Sequence, residues 1–273
     1  MASIYKYTQY RSEFFDNFFL KLSRFGDFND PFEMVMGNYL YSISQEEHDE
    51  IMQSSCVLSD CASYIDAAGD AQCGVRASVG VLCFASKEDN LLMWAHYANN
   101  HEGICIELDR NADLFNGKYK DAPSPFSKGK PSKDCYENIG VLRPVEYKIE
   151  RPTYLDPREL EYNTESWFVK SPEWSYEKEL RLLLPIDHAQ SQIVKGKVLL
   201  FYALEPNMIK SVILGCQMPV EQKKEVNEKC RALGIRVREA FIHSHQFKLD
   251  IVDYCEHNQS RYINEYNLSR VTR

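Results

Sequence analysis

The most constraining stretch is Trp174-Ser-Tyr-Glu177-Lys-Glu179-Leu-Arg181-Leu-Leu-Leu-Pro185, an apolar run headed by two carboxylates and closed by a proline. Read as a strand, it places residues two apart on one face. Glu177, Glu179 and Arg181 then share a face, and Leu180, Leu182 and Leu184 share the other. Two environments satisfy that pattern. One is an edge strand whose charges face water. The other is a sheet strand with a buried leucine side and a charged ledge beside a cleft. In the second, paired carboxylates on a rigid element suit acid–base chemistry or stabilisation of a cationic transition state.

A chain of 273 residues can bury a sizeable core. Its net charge of −8 argues against broad electrostatic binding to nucleic acid. The nine cysteines form no Cys-x-x-Cys pair, a pattern expected of a reducing cytoplasm rather than of a disulfide framework. The first residues are too polar for a signal peptide, and no apolar run approaches the length of a membrane span.

Along the chain, residues 4–8 read as a short strand. Phe14, Phe15, Phe18, Phe19, Leu22 and Phe25 fall at helical spacing, with Ser12 placed as N-cap. The Gly, Asn, Asp and Pro of residues 26–33 mark a shaped loop, in which Asn29 and Asp30 either form a local Asx-turn or frame a pocket. Residues 44–47 carry a capping box, predicting a helix to about Tyr64. Residues 79–85 read as a buried strand ending at Ser86, followed by a helix over 90–99 and a strand over 103–109. Residues 116–138 form an irregular, basic insertion. A strand is predicted at 141–147, a helix at 156–167 and a strand at 197–204. Residues 211–242 read as one βαβ unit, residues 247–252 as a final strand, and the chain from 254 as a polar tail. The sum is an α+β chain, residues 1–273, folded as a single domain of seven to nine strands in a mixed sheet with flanking helices.

Taken together, Tyr5-Lys6-Tyr7, Phe28-Asn-Asp-Pro-Phe-Glu33, Val81-Leu-Cys-Phe84, Asn90-Leu-Leu-Met-Trp-Ala-His-Tyr-Ala98, His101-Glu-Gly-Ile-Cys-Ile-Glu107, Trp174 to Arg181 and Val212-Ile-Leu-Gly215 resemble, in order, a bacterial family catalogued as domain of unknown function 2971. More distantly, the order of elements is similar to that of ADP-ribosyltransferases, which implies a split-sheet core. In such enzymes an early strand holds NAD, here Lys6, Tyr7 and Arg11. A second strand and the aromatics after it shape the nicotinamide pocket, here Ser86, Trp94, His96 and Tyr97. A later strand opens on a catalytic Glu, here Glu179, with Glu177 activating the acceptor. Two features depart from those patterns. Thr8 stands where many members of the first family carry a basic residue, and Lys87 follows Ser86, so no Ser-Thr-Ser triplet is present.

The resemblance implies a mono-ADP-ribosyltransferase with NAD as co-substrate, acting on a protein or nucleic-acid acceptor. It further implies a toxin or phage-defence effector, paired with an antitoxin or inhibitor. Arg181 would hold the carboxylates or contact a phosphate. Asn29 and Asp30 would frame the pocket. Two other readings stand beside this one. One is a binding module lined by Trp94, Tyr97 and the 28–33 loop. The other is a metal-dependent hydrolase or nuclease using His96, His101, Glu107 and Asp109, against which the spacing argues. The sequence contains neither a Gly-x-Gly-x-x-Gly fingerprint nor a P-loop.

Overall fold

The structure, a computed structural model, describes residues 3–33, 37–38, 46, 79–117, 138–154, 164–194 and 196–255. The helix predicted between the capping box and Tyr64, most of the basic insertion, the start of the helix predicted at 156–167 and the tail beyond 255 lie outside the described residues.

The described strands, in chain order, are β1 (Ser3–Thr8), β2 (Phe19–Leu22), β3 (Gly37–Asn38), β4 (Val79–Ala85), β5 (Ile104–Asp109), β6 (Arg143–Pro144), β7 (Glu146–Tyr147), β8 (Thr153–Tyr154), β9 (Val169–Lys170), β10 (Glu179–Pro185), β11 (Gln190–Val194), β12 (Lys197–Ala203), β13 (Ile209–Leu214), β14 (Arg236–Ile242) and β15 (Leu249–Asp253). The described α-helices are α1 (Phe14–Asn17), α2 (Leu91–Tyr97) and α3 (Val220–Ala232). An eight-stranded mixed sheet runs β15-β14-β13-β5-β1-β4-β10-β6, and β11-β12-β2 form a second sheet. The fold is therefore mixed α+β, as expected. The βαβ unit is present, with β13 and β14 parallel and joined through α3.

Strand β10 is an interior strand, not a wet edge. It pairs along its length with β4, and all seven of its residues are buried. Leu180, Leu182 and Leu184 enter the main core with Ile4, Leu82, Phe84 and Ile106. Leu183 faces the opposite side, against Val79, Val81, Trp167 and Phe168. The alternation read from the sequence is kept, and Glu179 and Arg181 lie on the second face. Glu177 is not in this strand. It ends a 3-10 turn, Pro172–Glu177.

The phenylalanine stripe does not make one helix. Helix α1 stops after Asn17, where Phe18 takes a left-handed backbone conformation (φ 53°). The Asn17 Oδ1 then accepts the Phe19 N–H at 2.9 Å. From Phe19 the chain is a strand, because Leu20 and Leu22 pair with Tyr202 and Leu200 of β12. Ser12 does not cap the helix; its hydroxyl donates to Glu225 and accepts from Lys229 Nζ at 2.8 Å. The strand predicted at 141–147 is split into β6 and β7, and β11 is an addition that the sequence reading missed.

Strand β1 pairs along its length with β5 but meets β4 in register only where Tyr5 faces Ala85. Further along β4, Val81 exchanges both backbone bonds with Ser23, at 3.0 and 2.9 Å. Between these two points the sheet is open beside Cys83. Gly80 permits this crossing of β2 over β4. A Cβ there would lie 2.4 Å from Leu22 Cγ, inside the core. Gly80→Ala is therefore expected to destabilise the fold by roughly 1–3 kcal/mol in urea unfolding. No measurable loss would mean that β2 does not press on β4 as described. Among the described residues, no helix is long and apolar enough to cross a membrane.

Candidate functional site

The opening beside Cys83 is the mouth of a cleft enclosing about 180 Å³, lined by β1, the 23–33 loop, β4, α2 and the segment from Lys170 to Glu179. Each wall has a local cause. Asp30 Oδ1 accepts the Phe32 N–H at 2.9 Å, and the Asp30 carbonyl accepts the Glu33 N–H at 3.1 Å. This is the Asx-turn expected there, and it turns Glu33 inward. Asn90 caps α2, its Oδ1 accepting the N–H of Leu92 and Met93 at 3.1 and 3.2 Å. The same side chain donates to the Tyr176 carbonyl, tying α2 to the turn that carries Glu177. Lys178, left-handed at φ 45°, then reverses the chain so that Glu177 and Glu179 reach the floor from two different elements.

The floor is a buried cluster of Glu33, Lys170, Glu177, Glu179 and Arg181, none more than 7% exposed. Arg181 grips Glu179 with two donors, Nε to Oε1 at 2.8 Å and Nη2 to Oε2 at 3.0 Å. Its Nη2 also donates to Glu33, and its Nη1 to the Trp167 carbonyl at 2.5 Å. Lys170 Nζ donates to Glu177 at 2.6 Å and to Glu179 at 3.4 Å, lies 3.6 Å from Glu33, and sits 4.6 Å from the centre of the Trp174 ring. The Tyr97 hydroxyl donates to the other oxygen of Glu177. Three carboxylates thus share two cations in a low-dielectric site, where an unmatched charge is costly.

The ionisation pattern follows. Burial pushes Glu33 up to about 7, with Arg181 pulling against it and Glu179 adding to it. Burial also pushes Glu179 up, but the charge and hydrogen bonds of Arg181 outweigh it and hold this carboxyl below its ordinary range. Burial works to deprotonate Lys170, and Glu179, Glu33 and Glu177 reverse that. Burial and the bond to Glu177 raise the Tyr97 hydroxyl, which stays a donor. At the open edge, Lys6 Nζ donates to the Cys83 carbonyl at 2.8 Å, and burial pulls its pKa down.

Of the residues singled out from sequence, Lys6, Tyr7, Asn29, Asp30, Tyr97, Glu177 and Glu179 line the cleft, with Arg181 directly behind. The others lie elsewhere. Trp94 is fully buried in the core, edge-on to Tyr7, its indole N–H donating to the Glu88 carbonyl at 2.9 Å. Ser86 is exposed past the end of β4, and Arg11 reaches the Phe19 carbonyl over the Phe201 ring. His96 is exposed beside Tyr176. The metal-site quartet does not converge. His101 stacks behind Trp94, while Glu107 is held by Ser3, Ser211 and Arg238. Among the described residues, no group of His, Cys, Asp and Glu could hold a metal ion. Glu33 and Lys170 were missed as site residues. Glu33 closes a quoted motif, but nothing local marks it as buried, and no pattern distinguishes Lys170 from a surface lysine.

Residues 93–182 match the model of a family described as Protein of unknown function (DUF2971). That span carries Tyr97, Lys170, Trp174, Glu177, Glu179 and Arg181. Lys6, Glu33 and Cys83 stand outside it. No curated protein matches the chain, and no solved structure does.

The raised Glu33 has a consequence for stability. The folded chain keeps its proton to about pH 7, whereas an ordinary carboxyl releases it near 4.5. Stability from this group is full below 4.5 and is lost as pH rises through 7. Glu33→Gln, neutral at every pH, should gain on the parent chain between pH 5 and pH 8 by up to roughly 3 kcal/mol in urea unfolding. An offset that does not change with pH would contradict the placement of Glu33.

Proposed function

We propose that the cleft carries out NAD-dependent mono-ADP-ribosyl transfer. What supports this reading above all is Glu179: a carboxylate held ionised by Arg181, on the floor of a cleft opened by a splay in the central sheet. Breaking a nicotinamide–ribose bond builds positive charge on the sugar, and a fixed anion beside it lowers that barrier. Because Arg181 already orients Glu179, little rearrangement is needed at the moment of reaction.

In this reading the bond from ribose C1′ to the pyridinium nitrogen breaks, and its electron pair leaves with neutral nicotinamide. The acceptor's nucleophile forms the new bond to C1′, and its proton passes to Glu177. Tyr97 and Lys170 hold Glu177 in place through its two oxygens. The enclosed volume of about 180 Å³ suits one ring and its sugar, so the rest of a dinucleotide would lie across the mouth, near Lys6. Phe28, Tyr97 and Trp174 line the cleft and supply apolar aromatic surface for a flat ring.

A second reading, a module that binds nucleotide without turning it over, is favoured by one observation. Each oxygen of Glu177 and Glu179 already accepts a bond from the protein. One experiment separates the two. Nicotinamide release from NAD is measured with and without cell lysate as acceptor source, for the parent chain and for Glu179→Gln. The transferase reading predicts lysate-dependent release that falls at least about 100-fold in the variant, while the variant still unfolds cooperatively. Release at an undiminished rate in folded Glu179→Gln would end it. NAD binding with no release would favour the module.

A further inference from the structure

The cleft is acidic as well as aromatic. Asp27, Asp30, Glu33, Glu177 and Glu179 line it against Lys6 and Lys170, with Arg181 behind. In the buried floor alone, three carboxylates face two cations, so the fully ionised floor carries one negative charge in excess. That excess is expensive when the cleft holds only solvent at its mouth. Glu33 relieves it by keeping a proton. An occupant that brings its own positive charge removes the reason to keep that proton.

We propose that the floor of the cleft accepts a flat, permanently cationic ring, and that its entry drives one proton off Glu33. The inference deepens the transferase reading, on which it rests for the identity of the ring: the oxidised, pyridinium form of a nicotinamide, favoured over a neutral ring of the same shape. The groups around Glu33 point to it as the one that yields. Arg181 holds Glu179 ionised, and the three carboxylates hold Lys170 protonated. Burial and its bond to Glu177 keep the Tyr97 hydroxyl protonated, and burial does the same for the Cys83 thiol. Lys6 stands across the opening, bonded to the Cys83 carbonyl, and Asp27 and Asp30 belong to the loop that carries Glu33. Asp30 is spent on its own turn, and Asp27 pairs with Lys21 at 3.3 Å.

The geometry also explains how the proton is held. The Glu33 Oε1 takes a bond from Arg181, while Oε2 is 3.6 Å from Lys170, beyond hydrogen-bond reach. The second oxygen, free of a hydrogen bond, is therefore the place for the proton, and Glu33 itself lines the cleft. A cation entering there replaces the proton's charge without disturbing the Arg181 bond.

Calorimetric titration of the full chain with 1-methylnicotinamide, a fixed cation, and with neutral nicotinamide tests this. Run in two buffers of different ionisation enthalpy, it also counts protons released. With Glu33 at about 7, its ionised fraction rises about tenfold from pH 6 to pH 8, and the apparent affinity for the cation should rise by about the same factor. Nearly one proton should be released per cation bound at pH 6 and almost none at pH 8. Nicotinamide should show neither effect. In Glu33→Gln the cation should bind weakly, with no pH dependence and no proton release. The inference is overturned by cation binding without proton release, by equal cation affinity at both pH values, by linkage that persists in Glu33→Gln, or by no saturable cation binding at either pH. Proton-linked cation binding without NAD turnover would uphold it while the transferase reading fails. Turnover without proton linkage would do the reverse.

Discussion

Arg181 is the point on which the site turns. A fully buried guanidinium must find anionic partners, because its desolvation is otherwise unrecovered. It finds Glu179 two residues away on its own strand and Glu33 far away in sequence. That second bond fixes the end of the 23–33 loop against the central sheet. The loop in turn supplies one wall of the cleft, so a single buried cation sets the position of its floor and its side. Removing Arg181 would leave two buried carboxylates short of a partner, a class of change that typically costs 3–5 kcal/mol.

A second constraint is the splay between β1 and β4. Backbone groups in a sheet interior are normally paired, and here one stretch is relieved differently. Val81 is satisfied by Ser23, just past the end of β2, and the Cys83 carbonyl by the ammonium of Lys6. Gly80, having no side chain, lets Leu22 lie against β4 so that Ser23 can reach Val81. The opening is thus a built feature of the packing. It places an aromatic, acidic cavity next to Glu179, a carboxylate that Arg181 keeps charged.

Much of this was legible in the sequence wherever a local pattern carried it. The leucine alternation in β10, the run that became β4, the parallel βαβ of β13, α3 and β14, and the Asx-turn at Asp30 all follow from period and turn chemistry. The misreadings have a common origin. Phe14 to Phe25 satisfies a helical period, but pairing with β12 governs the chain from Phe19 onward. Lys170 and Glu33 look like ordinary surface charges, and only tertiary contacts reveal them as buried. Arg11, Ser86 and Trp94 sat at plausible places in the order of elements, yet the sheet directs them away from the cleft. Burial of charge is a property of partners distant in sequence, and a single sequence does not show who those partners are.

Neighbouring carboxyls divide the labour of the site: Glu179 stays ionised below the ordinary carboxylate range, and Glu33 holds a proton to near neutrality. Carbon-13 NMR of the chain with labelled glutamate carboxyls, titrated with pH and assigned through Glu33→Gln and Glu179→Gln, reads this directly. One carboxyl, absent in Glu33→Gln, is expected to titrate near pH 7, and another, absent in Glu179→Gln, to stay ionised well below the ordinary carboxylate range. Both carboxyls titrating together near their ordinary values would contradict it.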